Sequence, residues 1–288
     1  MPFRDKLLAI AVVCAWALNI IIVKLGTAEI PPIFISALRF MLVAALVAPF
    51  TRLTRQQLPW VLVVSVTFGI MHFGLLFIAL SMAEAGTSSI LVQLGAPIAT
   101  VLACIVFKER FGPLRMIGLA LSVVGIVVLA AGPTLPAPLP LALLLLSATG
   151  WAVTNLIIKS MPKIQPLTMM GWSSLFAAPQ LMLASFFLEH DQLASLHTAS
   201  WHGWLCIVYS AIMSSIIAYG IWYWLLQRHP INTVVPYSML NPLLSVLFGI
   251  LMLGELPAPV KLVGSVVMMA GVALILRPER AAAVPERA

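Results

Sequence analysis

The sequence predicts an all-α integral membrane protein of ten transmembrane helices, arranged as two inverted five-helix repeats with both termini cytoplasmic. Three observations carry that expectation. Of 288 residues, 62% are hydrophobic and 9% charged, more apolar surface than a soluble chain of this length could bury. The apolar runs match the ~20 residues of a spanning helix and far exceed the ~9–11 of a membrane strand. One segment is also written twice: "WALNIIIVKLG" at 16–26 answers "WAVTNLIIKSM" at 151–161, each with Trp-Ala and a lysine eight residues after the tryptophan.

Apolar runs separated by charge or by Pro/Gly clusters place the spans near 7–25, 32–50, 59–80, 86–107, 113–131, 139–160, 167–188, 202–226, 232–253 and 258–276. The first follows a charged N-terminus, as in a signal peptide. Its length, the lack of a small-x-small cleavage site and its match to 151–159 indicate that it is retained. The proline-rich "GPTLPAPLP" at 132–140 reads as a linker between a first repeat, 1–131, and a second, 141–276, with a cytoplasmic tail at 277–288. Cys14, Cys104 and Cys206 fall inside apolar runs and read as small buried hydrophobes rather than a disulfide framework.

Lysine and arginine fix the orientation. Arg4, Lys6, Arg52, Arg55, Lys108, Arg110, Arg115, Lys159, Lys163, Arg228, Arg277, Arg280 and Arg287 all fall on one side of the ten spans, leaving Lys24 and Lys261 on the other. Positive charge gathers in the cytoplasm, so this side is inside. The net charge of +7 therefore needs no nucleic acid to explain it. Lys24 ends its span outside and Lys159 ends its span inside, as inverted five-span halves require. The duplication continues downstream: Pro97 and Glu109 in span 4 answer Pro242 and Glu255 in span 9, and Gly118 and Gly125 in span 5 answer Gly264 and Gly271 in span 10. Inverted halves are an arrangement of secondary transporters, with the substrate site between them.

On these residues the chain resembles the drug/metabolite transporter superfamily, EamA type, and within it the bacterial aromatic amino acid exporters. The resemblance covers nearly the whole chain. It implies a multi-pass inner-membrane exporter of small metabolites, its partners being the substrate and the lipid bilayer. No cofactor or metal is expected, and a monomer is favoured.

The polar residues of the spans suggest where substrate could sit. Spans 5 and 10 are nearly dry, and their glycines, seven apart, suit close helix packing. In span 4, Ser89, Gln93 and Pro97 lie four apart; in span 9, Thr233, Tyr237 and Asn241 do the same ahead of Pro242. A proline within a helix frees carbonyls, which is tolerated where protein or a wet cavity meets them. Trp16 with Asn19, and Trp151 with Asn155, share faces near the middle of spans 1 and 6, where an indole could stack on a substrate or simply pack. His72, in span 3, is the one histidine within a span; it could meet a carboxylate, carry a proton or serve structure alone. Ser215 and Tyr219 share a face of span 8. Arg39, within span 2, is expected to snorkel or to form a structural pair in preference to recognising a carboxylate.

Enzyme motifs are missing. "LEHDQ" at 188–192 lacks helical zinc-ligand spacing, no pair of intramembrane aspartates occurs, and no glycine loop could cradle a phosphate. His190, His197 and His202 read as an outer hydrated loop. All nine acidic residues lie at span ends, in loops or in the tail, leaving only His72 for a proton relay. The expected function is therefore an alternating-access, facilitative exporter of amino acids with aromatic or apolar side chains. Trp16, Asn19, His72, Gln93, Trp151, Asn155, Tyr219, Tyr237 and Asn241 are its candidate substrate-binding residues. The alternatives are a proton-coupled drug or metabolite efflux carrier and, in another class, a channel-like pore.

Overall fold

The structure, a computed structural model, describes residues 1–83, 85–108, 112–130, 137–253 and 259–276. Among them there are helices and no strands. Seven helices are long and apolar enough to cross a membrane: α1 (Phe3–Gly26), α2 (Pro32–Phe50), α3 (Leu58–Met82), α7 (Pro138–Ser160), α8 (Pro166–Leu188), α10 (Trp201–Arg228) and α11 (Ile231–Met252). Between α3 and α7 lie α4 (Ala85–Val92), α5 (Gly95–Phe107) and α6 (Pro113–Ala130). The short α9 (Gln192–Thr198) precedes α10, and α12 (Pro259–Leu276) follows α11. Residues 131–136 of the expected linker, Glu109, Glu255 and the tail 277–288 lie outside the described residues.

Proline opens α2, α7 and α8, where its missing N–H is one that a first turn leaves unused. The N-terminus of α2 has a further partner. The backbone amides of Ile33 and Phe34 donate to the Glu189 carboxylate at 2.7 and 2.9 Å. A carboxylate placed there also complements the positive end of the helix dipole.

Helix contacts recur in matched pairs. α2 packs along α8, and α6 along α12; α1 packs against α10 and α11, while α7 packs against α3 and α5. The last pattern is one arrangement met twice, with α1 and α7 in equivalent places. At the crossing of α6 and α12 a Cβ on Gly118 would stand 2.8 Å from the Gly271 carbonyl oxygen, so these backbones touch where only glycine fits.

Departures from α geometry are paired too. Ser65–Gly74 of α3 and Ser210–Tyr219 of α10 are π-helical, each ten residues long. The expected span 4 is broken at Gln93 and Leu94, between α4 and α5, and α11 passes through a 3₁₀ segment, Val235–Leu240, just before Asn241 and Pro242. Each break precedes a proline of the repeat, where the ring removes a backbone donor and the preceding turn tightens.

The duplicated lysines have equivalent partners. Lys24 Nζ donates to the carbonyls of Leu80 and Ala83, both at 2.9 Å, at the end of α3. Lys159 Nζ donates to those of Leu226 and His229, at 3.3 and 3.0 Å, at the end of α10. Each ammonium thus satisfies carbonyls that the helix end leaves open and meets the negative end of the dipole.

Candidate functional site

A central cavity of about 60 Å³ lies among the two equivalent helices, the two π-helical segments and the two broken spans. Trp16 and Asn19 reach it from α1, His72 and Phe73 from α3, Gln93 from the break before α5, and Trp151 from α7. Ser214 and Tyr219 come from α10, Ser238 and Asn241 from α11. Seven of the nine sequence candidates are therefore brought together: Trp16, Asn19, His72, Gln93, Trp151, Tyr219 and Asn241.

Asn155 and Tyr237 are buried but do not line the cavity. The Asn155 amide nitrogen donates to the Trp151 carbonyl at 2.7 Å, and its oxygen accepts from Trp222 Nε1 at 2.8 Å. Its hydrogen bonds are thus made to protein. Tyr237 is displaced by helix geometry. In a 3₁₀ segment residues three apart share a face, so Ser238, not Tyr237, joins Asn241 at the cavity. The π turn has the opposite effect in α10, where residues five apart align: Ser214 joins Tyr219, and Ser215 turns away. Ser214 and Ser238 were missed because the sequence was counted in steps of four.

Aromatic rings form one wall. Trp16 packs on Tyr219 with ring centroids 4.4 Å apart and on Trp222 at 4.9 Å, and Trp222 reaches Trp151 at 6.0 Å. Trp222, fully buried, thus joins the two tryptophans of the repeat. Single-sequence reading had no signal for it, because nothing in the first half answers it at the matching position.

Polar groups are held by bonds between spans. Ser210 Oγ donates to Asn19 Oδ1 at 2.7 Å, and Gln93 Nε2 donates to Ser238 Oγ at 3.0 Å. Ser147 Oγ donates to the His72 carbonyl at 2.8 Å, which leaves Ser147 to accept from His72 Nδ1 through its carbonyl at 3.2 Å and hydroxyl at 3.1 Å. The Nδ1–H tautomer satisfies that geometry, and Nε2 then faces the Tyr219 hydroxyl at 3.4 Å. Two cavity donors, Trp16 Nε1 and Ser214 Oγ, have no partner among the described residues.

Arg39 requires a correction. It is 0% exposed and so does not snorkel, and among the described residues it forms no salt bridge. Its Nε and Nη2 donate to Ser215 Oγ at 2.9 and 2.7 Å, and its Cζ lies 3.7 Å from the Phe73 ring centroid. Sequence could not foresee this, since the π turn that aims Ser215 at α2 is invisible to a count in fours.

Polar contacts tie α1 to α10 at both ends of that packed pair. On the side assigned outward by charge, Ser200 donates to Glu29 from its amide at 2.8 Å and its hydroxyl at 2.7 Å. That hydroxyl holds the Glu29 carboxyl below the usual carboxylate range. On the inward side His229 Nε2 meets Asp5 Oδ2 at 2.7 Å.

A multi-pass helical protein with a small polar-aromatic cavity among paired, inverted-looking helices has the form of a membrane transporter. The chain belongs to the EamA-like transporter family, whose model matches twice, at 6–131 and 139–277. It is a multi-pass inner-membrane protein. A protein of Salmonella typhimurium named probable amino-acid metabolite efflux pump is 31% identical over 94% of each chain. One of the same name from Escherichia coli is 30% identical, again over 94% of both. A solved crystal structure shares the fold with a TM-score of 0.76 at 21% identity, covering 95% of this chain and 96% of that one.

Proposed function

We propose that this chain is an alternating-access exporter of amino acids with aromatic or apolar side chains, built of ten spans in two inverted five-span halves and working without proton coupling. The cavity carries that reading. It lies between the equivalent parts of the two halves and pairs an aromatic wall with amide and hydroxyl groups suited to a zwitterion. The twofold family match, the paired π segments, the paired breaks and the paired lysine caps all support the inverted repeat. The relatives named amino-acid metabolite efflux pumps support the substrate class.

At about 60 Å³ the cavity holds one or two waters, whereas a site for a small molecule needs about 300 Å³ or more. In this reading the small cavity belongs to a contracted state, with α1 tied to α10 at both ends. Transport then requires one end to release while the cavity expands. Trp16, Trp151 and Tyr219 supply apolar contact in this reading, and Asn19, His72, Gln93 and Asn241 bond to the charged groups, with Asn155 and Tyr237 supporting from behind. Every residue named in this reading comes from one chain, which supports a monomer.

Counterflow in proteoliposomes preloaded with mixed unlabelled amino acids tests the proposal. Saturable uptake of labelled Trp, Phe or Met without an imposed proton gradient is expected. No exchange with any amino acid would remove the substrate class, and non-saturating flux without counterflow would show a pore.

A further inference from the structure

Arg39 is a cation buried in the middle of the helix bundle with nothing of opposite charge beside it among the described residues. Such a group is costly in a membrane, and a purely structural role would favour a paired or neutral residue. Ser215 takes two of its donors, while Nη1 has no partner among the described residues. Of the three rings that surround the guanidinium, Phe40, Phe77 and Phe73, the last is nearest at 3.7 Å, and Phe73 itself lines the cavity. Phe73 thus touches both the cavity and a cation that has one N–H without a partner among the described residues. Two further unpartnered donors, Trp16 Nε1 and Ser214 Oγ, lie in that cavity's wall. Ser214 is adjacent in sequence to the serine that holds Arg39.

We propose that Arg39 is the carboxylate subsite of the transport site, covered by Phe73 in the contracted state and uncovered when the cavity expands. This rests on the amino-acid reading above and deepens it. Three donors without acceptors call for an acceptor-rich, anionic group, and a guanidinium matches a carboxylate in charge and planar geometry. Phe73 lies at the end of the π-helical segment Ser65–Gly74, a geometry that accommodates one extra residue per turn and is often found at functional sites. A turn of that segment toward α geometry changes the face that Phe73 presents. With no substrate bound, the ring satisfies the cation through its π face and denies water a charged path through the bundle.

The test compares labelled L-phenylalanine with 2-phenylethylamine, which keeps the ring and amine but lacks the carboxylate. In counterflow the wild type should prefer L-phenylalanine by at least about tenfold in KM, because the site's donors go unmatched by the amine. Arg39→Gln should erase that preference, losing L-phenylalanine exchange about tenfold or more while changing the amine less than about twofold. Arg39→Lys, which keeps the charge but not the planar fork, should fall between them. If Arg39→Gln does not fold, as judged by size-exclusion profile, Phe73→Leu replaces it: uncovering the guanidinium should lower KM for L-phenylalanine relative to that of the amine, whatever the lost ring contact does to both. Equal handling of both compounds by the wild type overturns the inference, as does an Arg39→Gln variant that weakens both alike or neither. So does a Phe73→Leu variant with no shift between them. A wild type that exchanges no amino acid overturns the functional proposal, and this inference with it.

Discussion

Gly271→Ala tests whether α6 and α12 form a scaffold distinct from the transport site. A Cβ at position 271 would stand 2.6 Å from the Gly118 carbonyl oxygen, against an ordinary contact of about 3.4 Å, so the helices must part by about 0.8 Å. It would also meet Ser122, whose hydroxyl is held by the Gly118 carbonyl at 2.9 Å and cannot simply swing aside. Overpacking of this kind costs about 1–3 kcal/mol, toward the upper end when the obstacle is backbone. Alanine's better helix propensity returns about 1 kcal/mol. The net loss of about 1–2 kcal/mol should lower the midpoint of thermal unfolding in detergent by about 2–8 °C. Gly220→Ala is the control, because its new Cβ would meet only Leu167 Cδ2, at 4.0 Å, and should not lower the midpoint. KM for the exchanged amino acid should not change in either variant. An unchanged midpoint in Gly271→Ala, or an altered KM, would refute the scaffold reasoning.

Four further outcomes are expected. Asn155→Leu leaves the Trp222 indole N–H unpaired and should cost about 1–3 kcal/mol of stability with little change in KM, whereas Asn241→Ala should raise KM; calorimetry with counterflow separates the two. Lys159→Met removes a charged donor from two carbonyls of α10 and should cost about 1.5–3 kcal/mol, read by thermal unfolding. An imposed pH gradient should not drive uphill uptake in the wild type; uphill flux abolished by His72→Ala would establish a proton coupling that the present reading denies. Glu29 stabilises the contact between α1 and α10 above the ordinary carboxylate value of about 4.3, and that contribution fades as pH falls through its lowered native value, read as a fall in the thermal midpoint there. Ser200→Ala removes the contact, so an Ala199→Cys thiol should label faster with an impermeant reagent in that variant when both are compared at the same neutral pH.

What the sequence could and could not reveal follows from helix geometry. The spans were legible because lipid demands about twenty apolar residues in a row. The proposed repeat rests in the sequence on Trp-Ala-x6-Lys, the prolines and the glycines, which stand in matching order at two places along the chain. Lys24 and Lys159 show why that lysine was retained twice: each closes the end of the helix two spans on in its own half. Trp16, Asn19 and Trp151, on regular α-helix, line the cavity as face counting expects. Two misplacements fell where the helix is not α, the 3₁₀ segment exchanging Tyr237 for Ser238 and the π segment Ser215 for Ser214, while Asn155, on regular α-helix, turns to Trp222 instead of the cavity. Nothing in a hydropathy pattern distinguishes three, four and five residues per repeat within a buried run.

Those irregular segments lie where motion is needed. Under the proposed function a cavity of about 60 Å³ must gain several times its volume to admit an aromatic amino acid, and regular helices resist internal change because every N–H is already committed. A π turn and a 3₁₀ turn hold their hydrogen bonds in less favourable geometry, so exchanging them for α turns costs little and rotates the side chains beyond them. His72, Phe73, Ser214 and Tyr219 belong to the π segments, and Gln93, Ser238 and Asn241 flank or occupy the breaks. Most of the cavity wall therefore stands on backbone that can change register, while the closely packed α6–α12 pair keeps its glycine contact fixed. Glu29–Ser200 at one end and Asp5–His229 at the other tie α1 to α10, so a change that parts these two helices at one end has to break the contact there.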